Sequence, residues 1–324
     1  MESAEKKLYG SIGAMFKELG YDKVLIDNFS IQPYKGSRGR RLDVIACRWS
    51  EDDLETAAVE CKKALPPDGI IEALPQAINT MLFVDETYVA TPIGEDYRGV
   101  SLLDKLGIGY IAIKDERAFI VHKPDSERMS LKDEEKYIEQ VRSRLKTLMI
   151  FEEFSAGKKV RVGGMRARDL WVAVDIVPSL EIQQNVWMNS EEGHFYSGIN
   201  FEKRNPVLRV VKGLTPHILS KFAKAIHSLP SNYRITLKEI YGRRKPEELL
   251  PPQWSNGYTI SQAQKLVSSM KSIEKRAGSR VELSIHRPVW AIAEDVTRME
   301  GRKRLEKVQS EILPIIRILE LAAH

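Results

Sequence analysis

The segment from Leu54 to Ala64, LETAAVECKKA, limits the possible folds of this chain more than any other segment does. Its first half is a run of small and apolar residues after the polar turn SEDD, which is typical of a strand buried in a sheet. Its second half contains Glu60 and Lys62, and side chains two positions apart on a strand lie on the same face. The pattern therefore predicts a buried strand that delivers two opposite charges into one cleft.

The segments around this strand predict alternating helices and strands over the N-terminal third of the chain. Apolar residues at helical spacing predict a helix from Ala4 to Leu19, with Gly20 as its C-terminal stop. Strands are predicted at 23–34, 40–49, 54–64, 87–93, 109–114 and 117–123, and helices at 75–84 and 97–106. The predicted order is a helix, three strands, a helix, a strand, a helix and two strands.

The remainder of the chain predicts a connecting helix and a second domain. Ser130 and Asp133 have the spacing of a capping box before an amphipathic helix. Beyond it, strands are predicted at 170–177, 206–211, 233–241 and 280–286, helices at 215–229, 261–278 and 304–323, and a proline-rich loop at 248–257. We therefore expect an α/β domain at 1–128, a connecting helix at 129–157 and an α+β domain at 158–324.

The charge is distributed unevenly between the two halves of the chain. Residues 151–324 hold 28 Lys and Arg against 19 Asp and Glu, whereas residues 1–150 hold 22 against 26. A basic half is typical of a protein that binds a polyanion, although a solvated basic surface explains the excess equally well. The start of the chain has no pattern of a secretory leader, and no segment is apolar over eighteen residues, so we expect a cytoplasmic protein without a membrane span.

The second and third predicted strands allow a test of which residues face each other. If Asp43 lies opposite Glu60 in an antiparallel hairpin, the turn falls at Glu51-Asp52, in the middle of SEDD. The polar turn is recognised independently of the acidic residues, so the two observations support one register. Opposed residues have Cβ atoms about 4.5–5.5 Å apart, and two carboxylates at that distance repel unless a positive charge lies between them. A divalent cation such as Mg²⁺ or Mn²⁺ is the natural candidate.

Asp43 followed by Glu60-Cys61-Lys62 on the next strand, within the order α-β-β-β-α-β, resembles the PD-(D/E)XK nuclease superfamily over residues 1 to about 125. The resemblance implies a restriction-endonuclease-like mixed sheet flanked by helices. It also implies Mg²⁺- or Mn²⁺-dependent hydrolysis of phosphodiester bonds. By the frequency of activities in that superfamily, we expect a DNA endonuclease of repair, recombination or defence.

Site residues follow from the same resemblance, position by position. Asp43 and Glu60 would bind the metal, with the main-chain carbonyl of Cys61 as a further ligand, and Lys62 would be the catalytic lysine. Gln76, at the start of the next predicted helix, resembles a glutamine that several branches place beside the site. The sequence departs from the pattern at the nominal proline, which is leucine here, and by lacking a tyrosine four residues after Gln76.

A glutamate from the first helix joins the site in some branches of the superfamily. Glu5 and Glu18 both compete for that role, and spacing alone does not choose between them. The basic turn KGSRGRR adds candidate contacts to a phosphate backbone next to Asp43, although a solvated hairpin tip is a plausible alternative. The predicted nucleic-acid contacts are Lys35, Arg38, Arg40, Arg41 and Lys63.

Other interpretations of these residues remain open. Glu60 and Lys62 can instead lie on the solvated face of an edge strand, with Asp43 as a cross-strand partner of the lysine. The domain can also serve as a non-catalytic nucleic-acid-binding or assembly module. A homodimer is a further alternative, because the last helix has an apolar face that can pair with a second copy or pack on its own domain. The phosphate-binding motif GxxxxGK[ST] is absent from the sequence, so we expect no use of ATP.

Overall fold

The computed structural model describes residues 4–31, 39–51, 53–93, 99–125, 135–163, 170–201, 204–241, 247–272 and 279–324. The chain divides into two compact units. The described residues up to Met149 belong to the N-terminal unit, and residues 150–163 and 170–324 belong to the C-terminal unit. The division falls within helix α4 (Glu135–Phe154), which lies inside the segment predicted as a connecting helix. Ser130 and Asp133 lie outside the described residues.

The described part of the N-terminal unit contains a six-stranded mixed sheet whose strands lie side by side in chain order. The pairs β3–β4 and β4–β5 are parallel, and the other neighbours are antiparallel. The strands are β1 (Lys23–Ile31), β2 (Arg40–Ser50), β3 (Asp53–Cys61), β4 (Glu86–Pro92), β5 (Gly109–Lys114) and β6 (Arg117–His122). The helices are α1 (Ala4–Glu18), α2 (Asp68–Thr80) and α3 (Val100–Lys105).

The two faces of this sheet are covered by different helices. Ile12 and Phe16 of α1 are buried with Val44 of β2 and Val59 of β3 in one apolar cluster. A second cluster combines residues of α2 and α3 with Val89 of β4, on the opposite face. The N-terminal unit is therefore an α/β structure with a mixed sheet flanked by helices, which is the fold class predicted from the sequence.

The predicted register of the β2–β3 hairpin is confirmed along the observed ladder. Val44 lies opposite Val59, and the pairing continues without a shift to Ser50 opposite Asp53. Glu51, the first residue of the predicted turn, has a left-handed backbone with a φ of 57°, as tight hairpin turns require. Alternation along these strands therefore places side chains on the faces that the sequence indicates.

The helix predicted at 75–84 is wrong in both of its boundaries. The observed helix α2 begins at Asp68 and ends at Thr80, so Pro75 lies inside it. A proline at this position removes one main-chain hydrogen bond to the carbonyl of Ile71. Both residues are on the exposed side of the helix, where water can satisfy that carbonyl. The buried spacing of Ile70, Ala73 and Ala77 decides the helix instead.

The described part of the C-terminal unit contains a seven-stranded antiparallel sheet in the order β12-β11-β13-β10-β9-β8-β7. Helix α8 contacts β10 and β13, and helix α5 contacts β13. The strands are β7 (Val160–Gly163), β8 (Trp171–Val177), β9 (Ile182–Asn189), β10 (His194–Phe201), β11 (Arg234–Tyr241), β12 (Glu247–Trp254) and β13 (Ser279–Ala291). The helices are α5 (Arg204–Gly213), α6 (Pro216–His227), α7 (Ile260–Ser272) and α8 (Arg298–Ala323).

Two predictions for this unit are wrong. The segment PVLRVV, predicted as a strand, forms part of helix α5, where Val207, Val210 and Val211 are buried at helical spacing. The proline-rich segment predicted as a loop forms most of β12, which is an edge strand of the sheet. Pro251 and Pro252 have no N–H to donate, and they are tolerated because β12 lies at the edge and the β11–β12 register shifts between Leu250 and Gln253. Strands β9 and β10 are not predicted, and Gly198 lies inside the second of them.

The apolar face of the last helix packs inside its own unit. Ile312, Ile315, Ile316 and Leu319 are all buried, and α8 contacts α5 and α6. This face is therefore not available as the dimer surface that the sequence offered as an alternative. None of the helices in the described ranges is both long enough and apolar enough to cross a membrane.

Candidate functional site at the carboxyl end of β3

Asp43 lies next to the end of the observed β2–β3 ladder, at the position paired with Glu60 if the register continues by one residue. Its half-buried carboxylate is held at both oxygens. The hydroxyl of Tyr9 donates to Oδ1 at 2.9 Å, and the main-chain N–H of Cys61 donates to Oδ2 at 2.8 Å. Helix α1 and the end of β3 therefore fix the position of this carboxylate together.

Glu60 is buried on the face of the sheet that α2 covers. It is 2% exposed, and it is aligned with Val89 of β4, which belongs to the apolar cluster under α2 and α3. Its carboxylate forms an ion pair with the guanidinium of Arg40. Arg40 also donates to the main-chain carbonyl of Gln76 at 2.8 Å. The buried glutamate is thus neutralised by a residue at the start of β2.

The electrostatics of Arg40 connect the two carboxylates. Burial of the guanidinium lowers the pKa of Arg40 to about 10, and the neighbouring Asp43 carboxylate opposes that shift. Arg40 therefore remains protonated at neutral pH, within electrostatic reach of Asp43 and in contact with Glu60. Two neighbouring carboxylates require a nearby positive charge, and Arg40 provides one by pairing with Glu60 and interacting electrostatically with Asp43.

Lys62 follows β3 directly and is 9% exposed. Its main-chain N–H donates to the carbonyl of Ala90 at 2.9 Å, which continues the parallel pairing of β3 with β4 beyond the end of the strand. Alternation places Lys62 on the face of Glu60. Cys61 points the other way, since it is buried in the cluster under α1. This arrangement is consistent with the prediction that Glu60 and Lys62 share one face. Lys63, the next residue, is exposed.

Gln76 contributes its main chain to this site. Its carbonyl oxygen accepts hydrogen bonds from Arg40 and from the hydroxyl of Thr80. It lies in the second half of α2 rather than at the start of the helix, so its predicted position in the fold is wrong. The reason is the earlier start of α2, which is decided by buried apolar residues before Pro75. The role of the glutamine side chain stays a prediction.

Of the other predicted nucleic-acid contacts, the structure describes Arg41 and Lys63. Arg41 has a side chain that is 64% exposed, and it pairs with Asp27 at 3.1 Å. A hydrogen bond from Lys6, and a further one from Arg41, lower the pKa of Asp27. Lys35 and Arg38 lie outside the described residues. Of the predicted basic contacts that the structure describes, Arg40 alone touches a carboxylate of the proposed metal site.

The donor chemistry at this site fits a hard divalent cation. Mg²⁺ takes oxygen ligands and commonly uses only one or two carboxylates, which Asp43 and Glu60 provide. Within the described residues, no group of three or more His, Cys, Asp or Glu side chains is arranged to hold a metal ion. Binding through Glu60 also requires Arg40 to leave this carboxylate, because Arg40 holds one of its oxygens.

Two contacts of this site are not predicted from the sequence. They are the hydrogen bond from Tyr9 to Asp43 and the buried ion pair of Arg40 with Glu60. Tyr9 precedes Ile12 and Phe16 by three and seven residues, so helical spacing places it on the face that packs on the sheet. That signal was available in the sequence. Nothing in the sequence indicates that Arg40 pairs with Glu60 and Gln76, because these contacts depend on how α2 packs on the sheet.

Comparison with known proteins adds little to this description. The chain matches no protein-family model and no curated protein. Among solved structures, it is similar to the SPO1766 protein of unknown function from Silicibacter pomeroyi. The two share 15% sequence identity with a TM-score of 0.31, and the alignment covers 47% of this chain and 92% of that chain. The functional interpretation therefore rests on the site itself.

Proposed function

We propose that this protein is a metal-dependent nuclease whose N-terminal unit has a restriction-endonuclease-like fold of the PD-(D/E)XK type. The observation that carries the proposal is the hairpin register, which brings Asp43 beside the end of β3. At that end, Glu60 and Lys62 lie on the face of the sheet that α2 covers. The hydrogen bond from Cys61 to Asp43 supports the same juxtaposition. The proposed substrate is DNA, the proposed location is the cytoplasm, and no step requires ATP.

Each residue of the site has a distinct task in this proposal. Asp43, Glu60 and the main-chain carbonyl of Cys61 would hold Mg²⁺ or Mn²⁺, which when bound polarises a phosphoryl oxygen and favours deprotonation of water. Tyr9 keeps the Asp43 carboxylate in place through its hydroxyl. Lys62 orients the attacking water or stabilises negative charge on the phosphate in the transition state. Burial of Lys62 strengthens that electrostatic effect by excluding water.

Arg40 has a second task once Glu60 no longer needs its charge. A guanidinium released from that carboxylate remains beside the site, since Arg40 is anchored at the start of β2. Arginine binds phosphate through paired N–H donors, so Arg40 is suited to hold the phosphate of the cleaved strand. The predicted nucleic-acid contact of Arg40 and its observed ion pair are therefore two states of one residue.

The position of Glu18 argues against it as the additional carboxylate from α1. Tyr9 places the first half of α1 beside Asp43. Glu18 is nine residues after Tyr9, which is about 13 Å along the helix. Glu18 is also exposed at the end of α1.

The basic C-terminal unit is the proposed partner of this site in binding nucleic acid. Residues 151–324 have nine more positive than negative side chains, which favours association with a phosphate backbone.

A second function is favoured by one observation. The ion pair between Arg40 and Glu60 neutralises the site permanently if no cation displaces it. In that case the unit is a non-catalytic module for binding nucleic acid or for assembly. The two functions differ in a single measurable property, which is cleavage.

Cleavage is tested with labelled duplex DNA, single-stranded DNA, branched DNA and RNA in the presence of Mg²⁺ or Mn²⁺. The variants are Asp43→Asn and Lys62→Met, with Lys17→Met as a matched control that removes an exposed charge in the last turn of α1. We expect cleavage by the wild type and by Lys17→Met. Loss of Asp43 or Lys62 should lower the rate by about 100-fold or more.

The outcomes separate the candidate functions. Binding of nucleic acid without cleavage, under every metal condition, supports the non-catalytic module. Equal cleavage by the wild type, Asp43→Asn and Lys62→Met contradicts the proposed site. Circular dichroism of each variant shows whether a loss of activity reflects a loss of folding.

A further inference from the structure

A second candidate site lies in the C-terminal unit, far along the chain from the residues discussed above. A cavity of about 240 Å³ is lined by residues of β11, β12, α7 and the turn before α7. Its apolar lining is formed by Ile235, Leu237 and Leu266, all of which are buried side chains. Most small-molecule sites combine such apolar walls with a few fixed polar groups.

Tyr258 supplies the first of the polar groups. It lines the cavity, it is 2% exposed, and its hydroxyl has no hydrogen-bond partner within the part of the chain that the structure describes. A buried hydroxyl without a hydrogen-bond partner destabilises the folded protein. Burial also raises the pKa of Tyr258 well above its usual value, so the hydroxyl remains a neutral donor. A ligand oxygen in this cavity would give that donor the acceptor it lacks.

The two glutamines in the lining are held in fixed orientations. The side-chain amide of Gln262 donates to Oε1 of Gln253 at 2.9 Å. The Oε1 atom of Gln262 accepts from the main-chain N–H of Thr259 at 2.6 Å and from its hydroxyl at 2.8 Å. These contacts join β12 to the start of α7, so this polar wall is formed before any ligand binds. A preformed wall lowers the entropic cost of binding.

Lys265 gives the cavity its charge. It is an exposed residue of α7 that also lines the cavity, so its ammonium can reach the mouth. No acidic residue contributes to the lining, and α7 contains no Asp or Glu between Ile260 and Ser272. The lining therefore has a net positive charge, which is complementary to an anion.

We propose that this cavity binds a compact amphipathic carboxylate, with its hydrocarbon body against Ile235, Leu237 and Leu266 and its carboxylate at Lys265 and Tyr258. The size follows from the volume. A cavity of about 150 Å³ holds benzene, so about 240 Å³ accommodates about ten non-hydrogen atoms. A medium-chain fatty acid such as octanoate has this size and this division into an apolar body and one charged end.

The full-length protein is titrated with octanoate by isothermal titration calorimetry, with 1-octanol as the uncharged probe of similar length. Three variants are compared with the wild type, namely Tyr258→Phe, Lys265→Met and Lys271→Met. Lys271 is the matched control, because it is an exposed lysine of the same helix outside the lining. Tyr258→Phe keeps the ring and removes only the hydroxyl.

We expect saturable binding of octanoate, and weaker binding of 1-octanol. Tyr258→Phe should weaken octanoate binding about tenfold, since one hydrogen bond to a charged group is lost. Lys265→Met should weaken it about three- to fivefold, as for an exposed ion pair, and Lys271→Met should leave it unchanged. The unliganded Tyr258→Phe protein should be as stable as the wild type or more stable, because no buried hydroxyl is left without a partner.

Three results would overturn the proposal. The first is the absence of saturable octanoate binding to the wild type at millimolar concentrations. The second is equal binding of octanoate and 1-octanol, which would show that the carboxylate is not recognised. The third is equal binding by Lys265→Met and the wild type together with equal binding by Tyr258→Phe.

Discussion

The two sheets of this protein bury polar groups in different ways. In the N-terminal mixed sheet, Arg40 and Glu60 form a buried ion pair where β2 begins and β3 ends. In the C-terminal antiparallel sheet, the buried polar side chains of the described strands are neutral except for Glu239 of β11. His286 of β13 lies 3.0 Å from the Oδ1 atom of Asn185 in β9, and burial lowers its pKa to about 3. The Arg40–Glu60 pair is charged, whereas the His286–Asn185 pair is neutral.

This difference supports the N-terminal region as the place of the proposed chemistry. A buried ion pair is costly to form and costly to break, because each charge depends on its partner for compensation. Either member of such a pair can be exchanged for another ion of the same sign. A metal cation can take the place of the guanidinium, and a phosphate can take the place of the carboxylate. A neutral pair such as His286 and Asn185 is joined by a hydrogen bond, so it stabilises one structure and offers no charge to exchange.

The largest expected effect is the loss of the buried ion pair. Arg40→Met leaves Glu60 buried without a compensating charge, which should destabilise the N-terminal unit by about 3–5 kcal/mol at neutral pH. Arg41→Met is the matched control, because that neighbouring arginine is mostly exposed, and its loss should cost less than about 1 kcal/mol. Hydrogen–deuterium exchange of peptides from β2 and β3 measures both changes in the full-length protein.

The same variant tests whether Glu60 can do without the charge of Arg40, either after its own charge is removed or when a metal cation is present. Adding Glu60→Gln to Arg40→Met removes the unpaired charge, so the double variant should recover much of the lost stability. Mg²⁺ should also protect Arg40→Met more than it protects the wild type, since no guanidinium competes for Glu60. Equal losses for Arg40→Met and Arg41→Met would show that the buried pair does not stabilise this unit.

The next effect concerns the close packing of strands in the C-terminal sheet. A Cβ atom at Gly198 would lie 1.9 Å from the carbonyl oxygen of Ile285 and 2.8 Å from the Cα atom of His286. Gly198→Ala should therefore force β10 and β13 apart and destabilise this unit by about 3 kcal/mol. Four of the five tryptophans lie in residues 170–324, so urea unfolding followed by tryptophan fluorescence reports on this unit.

Gly257→Ala is the control for that experiment. A Cβ atom at Gly257 meets no other atom within 4 Å, and its backbone is not in the left-handed region. We expect a change of less than about 1 kcal/mol. A similar loss of stability in both glycine variants would contradict the steric explanation.

The neutral pair predicts a dependence on pH that the charged pair does not. The pKa of His286 is about 3 in the folded protein, below the ordinary value of 6.5, so the unfolded chain binds a proton more readily. The stabilising contribution is complete above pH 6.5 and is lost as the pH falls toward 3. Between pH 6.5 and pH 4.5, the wild type should lose about 2–3 kcal/mol more than His286→Gln does.

Urea unfolding at these two pH values, followed by tryptophan fluorescence, measures that difference. His227→Gln is the control, because His227 is an exposed residue of α6. It should show the same loss of stability as the wild type. Parallel pH profiles for His286→Gln and the wild type would mean that His286 is not held in its neutral form.

The smallest effect is expected on the surface of α1. Gly10 lies inside this helix, it is exposed, and a Cβ atom there meets nothing within 4 Å. Gly10→Ala should stabilise the N-terminal unit by about 0.5–1 kcal/mol, because alanine has the higher helix propensity. Gly20→Ala should have the opposite sign, since Gly20 has a φ of 83°. Exchange of α1 peptides measures both variants, and stabilisation by both would contradict this account.

Much of the N-terminal fold and part of its site were accessible from the sequence. The helix α1, the β2–β3 register and the shared face of Glu60 and Lys62 follow from patterns between residues close in the chain. The turn at Glu51 fixes the hairpin, and strand alternation then fixes the faces. The site residues themselves came from the resemblance to a nuclease superfamily, and their chemical roles stay a proposal.

Only the tertiary structure decided the partner of each charged group and the nature of the ambiguous segments. The segment with Val207 and Val210 has side chains that favour a strand, yet its burial at helical spacing makes it a helix. The segment with Pro251 is a strand because the sheet has an edge that needs no N–H from it. Arg40 reaches Glu60 and a carbonyl of α2 that is 36 residues away in the chain. Local patterns determine how each segment can fold, whereas contacts between distant segments determine which charges meet.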